Sequence, residues 1–348
     1  SLGNNGHSQS IGDLMPSLAV IDYTGDGVSD RVIGVGFQPA VAMVVRTDSL
    51  ARICWRVSGY SGAALWTDLD ATSTEWIKSI STSGITVGND NRVNGNTFTY
   101  RAIFIGEDAG YVATGTYTGD GADDRNILAP FTPDLVFCGE AVQLGTNVRH
   151  TYVWTTSIGG DAAIQWEAAA AVTGNFVQGV GTNFFQVGTG LNVNTRTFIW
   201  AAFRHKPRVI ASGTYIGNGS DNREVPDTGF LPGVVSLKDW SAGVSAPAVR
   251  TGLDNGDSAL LIQSTFDANV IQKFIVNGYE IGTSAVANTS GRRYAWFAFA
   301  YGDIGTAEQG ASAPSAAPAL PLVDDFTPYN WYKSGLEMLN TYKALRIV

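Results

Sequence analysis

The sequence is short of the residues that catalysis and metal binding most often use. It holds three histidines and two cysteines in 348 residues. His7, His150 and His205 stand in no ligand spacing such as His-Glu-x-x-His. His150 and His205 sit beside basic residues, where solvated surface histidines are expected. Cys54 and Cys138 lie inside apolar runs, RICWRV and DLVFCGE, and read as free buried thiols, not as a disulfide framework or a zinc site. Charged residues make up only 15% of the chain, the net charge is −9, and lysine and arginine form no cluster. Nucleic-acid binding is therefore not expected, because phosphate contacts need a basic surface. No apolar run reaches the ~18–20 residues of a membrane helix, so no membrane insertion is expected. No secretory leader is visible, and a chain that starts at Ser1 and not at methionine suggests a processed or trimmed start. There is no G-x-S-x-G elbow, and GVGTNFFQVG has the glycines of a phosphate loop without its Lys-Ser/Thr or its helix. The acid pairs DLD at 68–70 and VDD at 323–325 read as surface pairs, and a glycosidase pair drawn from distant positions stays open. The expectation is a protein without enzymatic activity, cofactor or metal.

What the chain has in abundance is glycine, 41 residues, and strand-forming side chains within a 44% hydrophobic composition. That mixture favours short strands joined by tight turns. It also contains a repeat. IDYTGDGVSDRVIGVGFQPAVAMVV begins at Ile21, GTYTGDGADDRNILAPFTPDLVFCG at Gly115, and GTYIGNGSDNREVPDTGFLPGVVSL at Gly213. Farther on, ITVGNDNRVNGNTFTYRAIF, FQVGTGLNVNTRTFIWAAF and YEIGTSAVANTSGRRYAWFAF match again, as do GAALW, DAAIQW and DSALLIQ between them. Three ordered matches at one spacing indicate tandem duplication. The expected fold is all-β: three tandem antiparallel β-sandwich repeats at 17–106, 107–205 and 206–302, each of about 90–100 residues. They follow an N-terminal arm, 1–16. Beads on a string and packing about a pseudo-threefold axis are both open.

The repeats bear on the most conspicuous motif, DYTGDGVSDRV. Its carboxylates Asp22, Asp26 and Asp30, with Asp120 and Asp124 in the second copy, resemble a calcium loop. Across copies, however, Asp22 becomes Thr116 and Thr214, Asp26 becomes Asp120 and Asn218, and Asp30 becomes Asp124 and Asn222. The charge drains away while Tyr23, Gly25, Gly27 and Arg31 persist as Tyr117, Gly119, Gly121 and Arg125, then Tyr215, Gly217, Gly219 and Arg223. Asp and Asn share a short side-chain oxygen that bonds nearby backbone N–H groups, and glycine permits positive φ. A structural turn, with the arginine capping a neighbouring oxygen, is the preferred reading, and calcium is the weaker one. The Phe-x-Pro that follows marks a strand entry. Trp66, Trp76, Trp166 and Trp240 could form sugar-stacking platforms, against a preferred reading as core or interface residues.

Beyond the repeats, 303–322 is an Ala/Pro/Ser linker. Residues 323–348 read as a docking segment with a short helix, whose Phe326, Trp331, Leu336, Leu339, Tyr342 and Leu345 want an apolar partner.

The repeat unit, GTYTGDGADDR…FTPDLVF…FQVG…VNTRTFIWAAF, resembles a repeated domain of tailed-bacteriophage structural proteins, over about 285 residues in three copies. The first copy departs at its start (IDY for GTY) and at its end, and the third carries extra residues before Phe230 and Tyr294. The resemblance implies a virion component: a tail fibre, minor tail or baseplate-associated protein, held to other virion proteins through its N- and C-terminal segments. A capsid decoration protein of the phage head and a carbohydrate-binding adhesin are the alternatives. A homo-oligomer and a cell-surface glycan stay open as further partners. The resemblance implies no catalytic residue or cofactor.

Overall fold

The computed structural model of the chain describes residues 17–49, 52–62, 64–66, 75–141, 150–166, 174–241, 246–262 and 264–301. The arm at 1–16, the linker at 303–322 and the docking segment with Phe326, Trp331, Leu336, Leu339, Tyr342 and Leu345 lie outside the described residues.

The fold is all-β and antiparallel. The first repeat contributes β1 (Leu18–Thr24), β2 (Arg31–Gly34), β3 (Pro39–Arg46), β4 (Ile53–Val57), β5 (Leu65–Trp66), β6 (Ile77–Ser81), β7 (Gly84–Val87) and β8 (Thr99–Gly106). The second contributes β9 (Val112–Thr118), β10 (Arg125–Leu128), β11 (Leu135–Glu140), β12 (Thr151–Thr155), β13 (Ile164–Gln165), β14 (Val177–Gly181), β15 (Phe184–Val187) and β16 (Thr197–Phe203). The third contributes β17 (Ile210–Ile216), β18 (Arg223–Val225), β19 (Pro232–Asp239), β20 (Ala248–Thr251), β21 (Ser258–Leu261), β22 (Phe266–Ala268), β23 (Ile271–Ile275), β24 (Gly278–Ile281) and β25 (Arg293–Ala300). Among the described residues helix is confined to a 3-10 turn at Thr189–Leu191 and one short α-helix, α1 (Ala285–Asn288).

Each repeat builds one large and one small sheet in the same order. The large sheets run β1-β8-β3-β4-β5, β9-β16-β11-β12-β13 and β17-β25-β19-β20-β21-β22, and the small ones β2-β7-β6, β10-β15-β14 and β18-β24-β23. Pro39 and Pro232 open β3 and β19, where a missing N–H costs least.

Two burial patterns separate the sheets. Outer strands of the small sheets alternate, as β2, β6 and β10 do, because one face meets water. The inner strands of the large sheets are buried on both faces, which is why VAMVV and TFIWAAF read as continuous apolar runs. One face of each large sheet packs on its own small sheet. Ala42, Val44 and Phe104 do so in the first repeat, Val136, Trp154 and Trp200 in the second, and Val235, Leu237 and Trp296 in the third. The other faces meet in a single shared core, with Val41, Trp55 and Ile105, Leu135, Phe137 and Phe203, and Val234, Phe297 and Phe299. Full burial of such side chains stabilises by about 1.5–3 kcal/mol each. The repeats are therefore not beads on a string.

The contacts run head to tail and close. β4 of the first repeat and the residue after it meet β12 and β9 of the second: Trp55 Nε1 donates to Thr151 Oγ1 at 2.9 Å, and the Ser58 and Thr114 hydroxyls lie 3.1 Å apart. Between the second and third repeats, Lys238 donates to the Gln165 carbonyl, and Trp166 and Phe137 pack on Phe297 at 4.9 and 5.1 Å between centroids. The third closes on the first through Arg101 and Asp254. Heterologous contacts that close after three units form a ring with pseudo-threefold symmetry. A cavity of about 30 Å³ remains in the shared core, where Ser236 occupies the position held by Met43 and Phe137 in the other repeats.

Candidate functional site

The motif shared by the repeats forms three hydrogen-bonded clasps, each at the end of its large sheet away from the chain connections. In the first, Gly25 N–H donates to the Phe98 carbonyl and Gly27 N–H to the Asn94 carbonyl, both at 2.8 Å. A Cβ on Gly25, Gly119 or Gly217 would overlap the carbonyl oxygen of Gly95, Val193 or Thr289. Gly27, Gly121 and Gly219 have φ of 69°, 80° and 75°, which glycine adopts without strain.

The centre of each clasp is a fully buried asparagine: Asn94, Asn192 or Asn288. Its Oδ1 accepts from the backbone N–H of Asp26, Asp120 or Asn218 at 3.3, 3.2 and 2.9 Å. Its Nδ2 donates to the carbonyl of Val28, Ala122 or Ser220 at 2.8, 2.8 and 2.7 Å. The motif arginine completes the set. Arg31 donates to the Thr24 carbonyl at 2.5 Å and to Asn94 Oδ1 at 3.0 Å, and Arg125 and Arg223 do the same with Thr118 and Asn192, and with Ile216 and Asn288. Each guanidinium also lies over its motif tyrosine, 5.1, 5.3 and 5.2 Å from the ring centroid. Tyr23, Tyr117 and Tyr215 donate to the carbonyls of Val93, Leu191 and Ala287, and burial pushes all three phenols up.

The carboxylates of the motif part company. Asp22 lies on β1, outside the turn, and its two oxygens accept from Arg101 at 2.7 and 2.8 Å. Asp26 accepts from Val28 N–H at 2.9 Å and Asn94 Nδ2 at 2.8 Å, with Arg31 at 3.6 Å. Asp30 pairs with Lys78 at 2.9 Å. Asp120 repeats the bonds of Asp26, to Ala122, Asn192 and Arg125. Asp30 and Asp124 hold positive φ, 66° and 58°, as Asn222 does at 53°. The three carboxylates of the weaker, calcium reading, Asp22, Asp26 and Asp30, turn to three different cations. The second-copy pair separates likewise, Asp120 closing the clasp with Asn192 and Arg125 while Asp124 serves the turn. In the third copy Asn218 Oδ1 accepts from Ser220 N–H at 2.9 Å, the bond that Asp26 makes with charge. The carboxyls of Asp26 and Asp120 are lowered by the backbone N–H of Val28 and Ala122 first, and then by the asparagine amide.

Other groups with chemical potential are also engaged. Asp254, Asp239, Glu280, Glu140 and Asp108 pair with Arg101, Arg292, Lys273, Arg196 and Lys206. Cys54 and Cys138 are buried, and burial pushes both thiols up to about 12. Trp76 and Trp166 are core residues, Trp240 is half-buried under Arg293, and the Trp66 side chain lies outside the described residues. Among the described residues no three of His, Cys, Asp and Glu converge as a metal group, and no helix is long and apolar enough to cross a membrane.

Sequence reasoning missed the asparagines, although each stands six residues before the aromatic Tyr100, Phe198 or Tyr294. It also missed Arg56 and Arg250, buried in β4 and β20, each of which gathers carbonyls from the segment leading into the next large-sheet strand and from a small-sheet strand: Gly62, Tyr60 and Ile77 for one, Ser258, Gly256 and Ile271 for the other. In the second repeat Trp154 takes that place and donates to Gly160 at 3.1 Å.

A family model described as a domain of unknown function (DUF7483) matches residues 141–302, which hold the third clasp whole and the Asn192 centre of the second. No curated protein matches the chain.

Proposed function

We propose that the protein is a non-enzymatic structural component of a tailed-bacteriophage virion, placed in a tail fibre, minor tail or baseplate, with head decoration as the alternative placement. The observation that carries this reading is the polarity of the body. The chain enters at Ser17, whose carbonyl accepts from Gly106 N–H at 2.7 Å, and leaves at Tyr301, which packs against Gly233 beside Leu18. The connection between repeats one and two is tied to that between two and three by Asp108 and Lys206. In each repeat the clasp lies at the other end of the sheet, about 23 Å along a seven-residue strand. The first and last described residues therefore lie side by side at one end of the body, which supports anchorage to other virion proteins through the two terminal segments. The clasps spend their polar groups on internal bonds, which suits a scaffold. The burial of Trp76 and Trp166 removes two of the four candidate sugar platforms of the adhesin reading.

The test is immunogold electron microscopy of virus-like particles from the source culture, with antibody to this chain. Gold at the tail supports the fibre or baseplate placement and gold over the head the decoration placement. Particles that carry no label overturn the virion reading and put the adhesin first.

A further inference from the structure

A second set of polar residues repeats beside each clasp, and its charge changes from copy to copy. In the first repeat Lys78 of β6 sits in a socket of oxygens: Asp30 Oδ1 at 2.9 Å, Ser29 Oγ at 3.2 Å and Glu75 Oε1 at 3.5 Å. In the third, the repeat alignment puts Gln272 in place of Lys78, Asp221 in place of Ser29, Asn269 in place of Glu75, and Asp257 in place of Gly62. The socket thus loses its built-in cation and holds two carboxylates.

Three oxygens still converge there. Gln272 Nε2 lies 2.9 Å from Asp221 Oδ1, 3.2 Å from Asn269 Oδ1 and 3.3 Å from Asp257 Oδ2. Gln272 is 8% exposed, its carboxamide points into the socket, and its Oε1 is buried with no hydrogen-bond partner. The two carboxylates share one neutral amide donor, and the four side chains of the socket include no cation to offset their repulsion. Turning the carboxamide by half a rotation, an orientation fixed by hydrogen bonding alone, sets Oε1 among the other three oxygens.

We propose that the third repeat binds one calcium ion through Asp221, Asp257, Asn269 and Gln272. Four hard oxygens with two negative charges and no nitrogen or sulfur donor match calcium. Asp221 and Asp257 are exposed, so the ion enters from solvent and water completes its shell. The 2.9–3.3 Å that now separate the amide from the other three oxygens become oxygen–oxygen spacings after the turn, and calcium takes such oxygens at about 2.3–2.6 Å in flexible geometry, whereas magnesium needs about 2.0–2.1 Å and a near-ideal octahedron. None of Asp22, Asp26 and Asp120 takes part. The second repeat holds the same residue types in Asp123, Asp161, Asn175 and Gln178, and Gln178 Oε1 is likewise buried without a partner.

The test is calorimetric titration of the chelator-stripped chain with calcium chloride, up to about 10 mM, above the ~10⁻⁴–10⁻³ M range of exposed modules. Gln272→Lys copies the first repeat. It is expected to bind one calcium fewer per chain than the wild type and to melt in chelator no lower than the wild type. Asp257→Asn is expected to weaken that site at least tenfold, and Gln178→Lys to leave it intact. Calcium binding with unchanged stoichiometry in a folded Gln272→Lys variant overturns the proposal. So does a wild-type chain that takes up no calcium in this range.

Discussion

Asn94, Asn192 and Asn288 are the residues on which each clasp turns, since one buried carboxamide joins the motif turn to the loop before the closing strand. Replacing Asn288 by Ala strands the Asn218 N–H, the Ser220 carbonyl and the Gly282 carbonyl. Each buried group left unpaired costs about 1–3 kcal/mol. A urea titration is expected to show a loss of at least about 2 kcal/mol for Asn288→Ala, and an unchanged midpoint would mean that water replaces the amide. The carboxylates beside these asparagines behave differently. Asp26 and Asp120 have folded pKa values below the ordinary carboxylate value, so their contribution is present above about pH 4 and is lost as pH falls through the folded value. The Asp26→Asn, Asp120→Asn double variant keeps the turn bonds, as Asn218 does, without the titration. Its melting temperature is expected to fall less steeply than that of the wild type below about pH 4, and identical slopes would remove these two groups from the acid response.

At the scale of the element, β4 and β20 each carry a buried arginine whose guanidinium fastens the large sheet to the small one. Arg250→Met leaves the carbonyls of Ser258, Gly256 and Ile271 without that donor. An expected loss of about 2–3 kcal/mol is read from denaturant melts, and a neutral result would show that the sandwich halves are held by packing alone. The strands themselves were legible in the sequence. Tyr23, Gly25, Gly27 and Arg31 recur with their spacing, and the apolar runs that follow them mark strands buried on both faces. Arg56 and Arg250 were not legible, because a charged residue inside RICWRV or AVRT looks like an alternating outward position. Only the tertiary structure shows that this face is covered too. The clasp was half legible: its turn is a local pattern, but its asparagine lies some seventy residues away, in a segment matched for other reasons.

At the scale of the whole molecule, the ring is closed by residues 153 apart. Arg101 and Asp254 have side chains 5% and 1% exposed, and Asp254 also accepts from Thr251 N–H at 2.7 Å. Removing one partner of a buried pair costs about 3–5 kcal/mol. Asp254→Ala is expected near the low end, about 3 kcal/mol, because Asp22 still holds the guanidinium. The Arg101→Met, Asp254→Leu pair is expected to recover most of that loss, and a double variant as unstable as the single one would assign the cost to packing instead. Because Val41, Leu135 and Val234 share one core, heat is expected to unfold all three repeats in a single calorimetric transition. Separate transitions would show that the repeats melt independently.

Two of the three joints in this ring are backed by a covalent connection, and the third, between repeats three and one, rests among the described residues on side chains alone. A chain that opens there presents two complementary, unsatisfied faces, and nothing in their chemistry distinguishes its own first repeat from a neighbour's. The Arg101–Asp254 latch is therefore also a gatekeeper between a closed monomer and a growing head-to-tail thread, and weakening it at high concentration should lengthen the particle before it unfolds it.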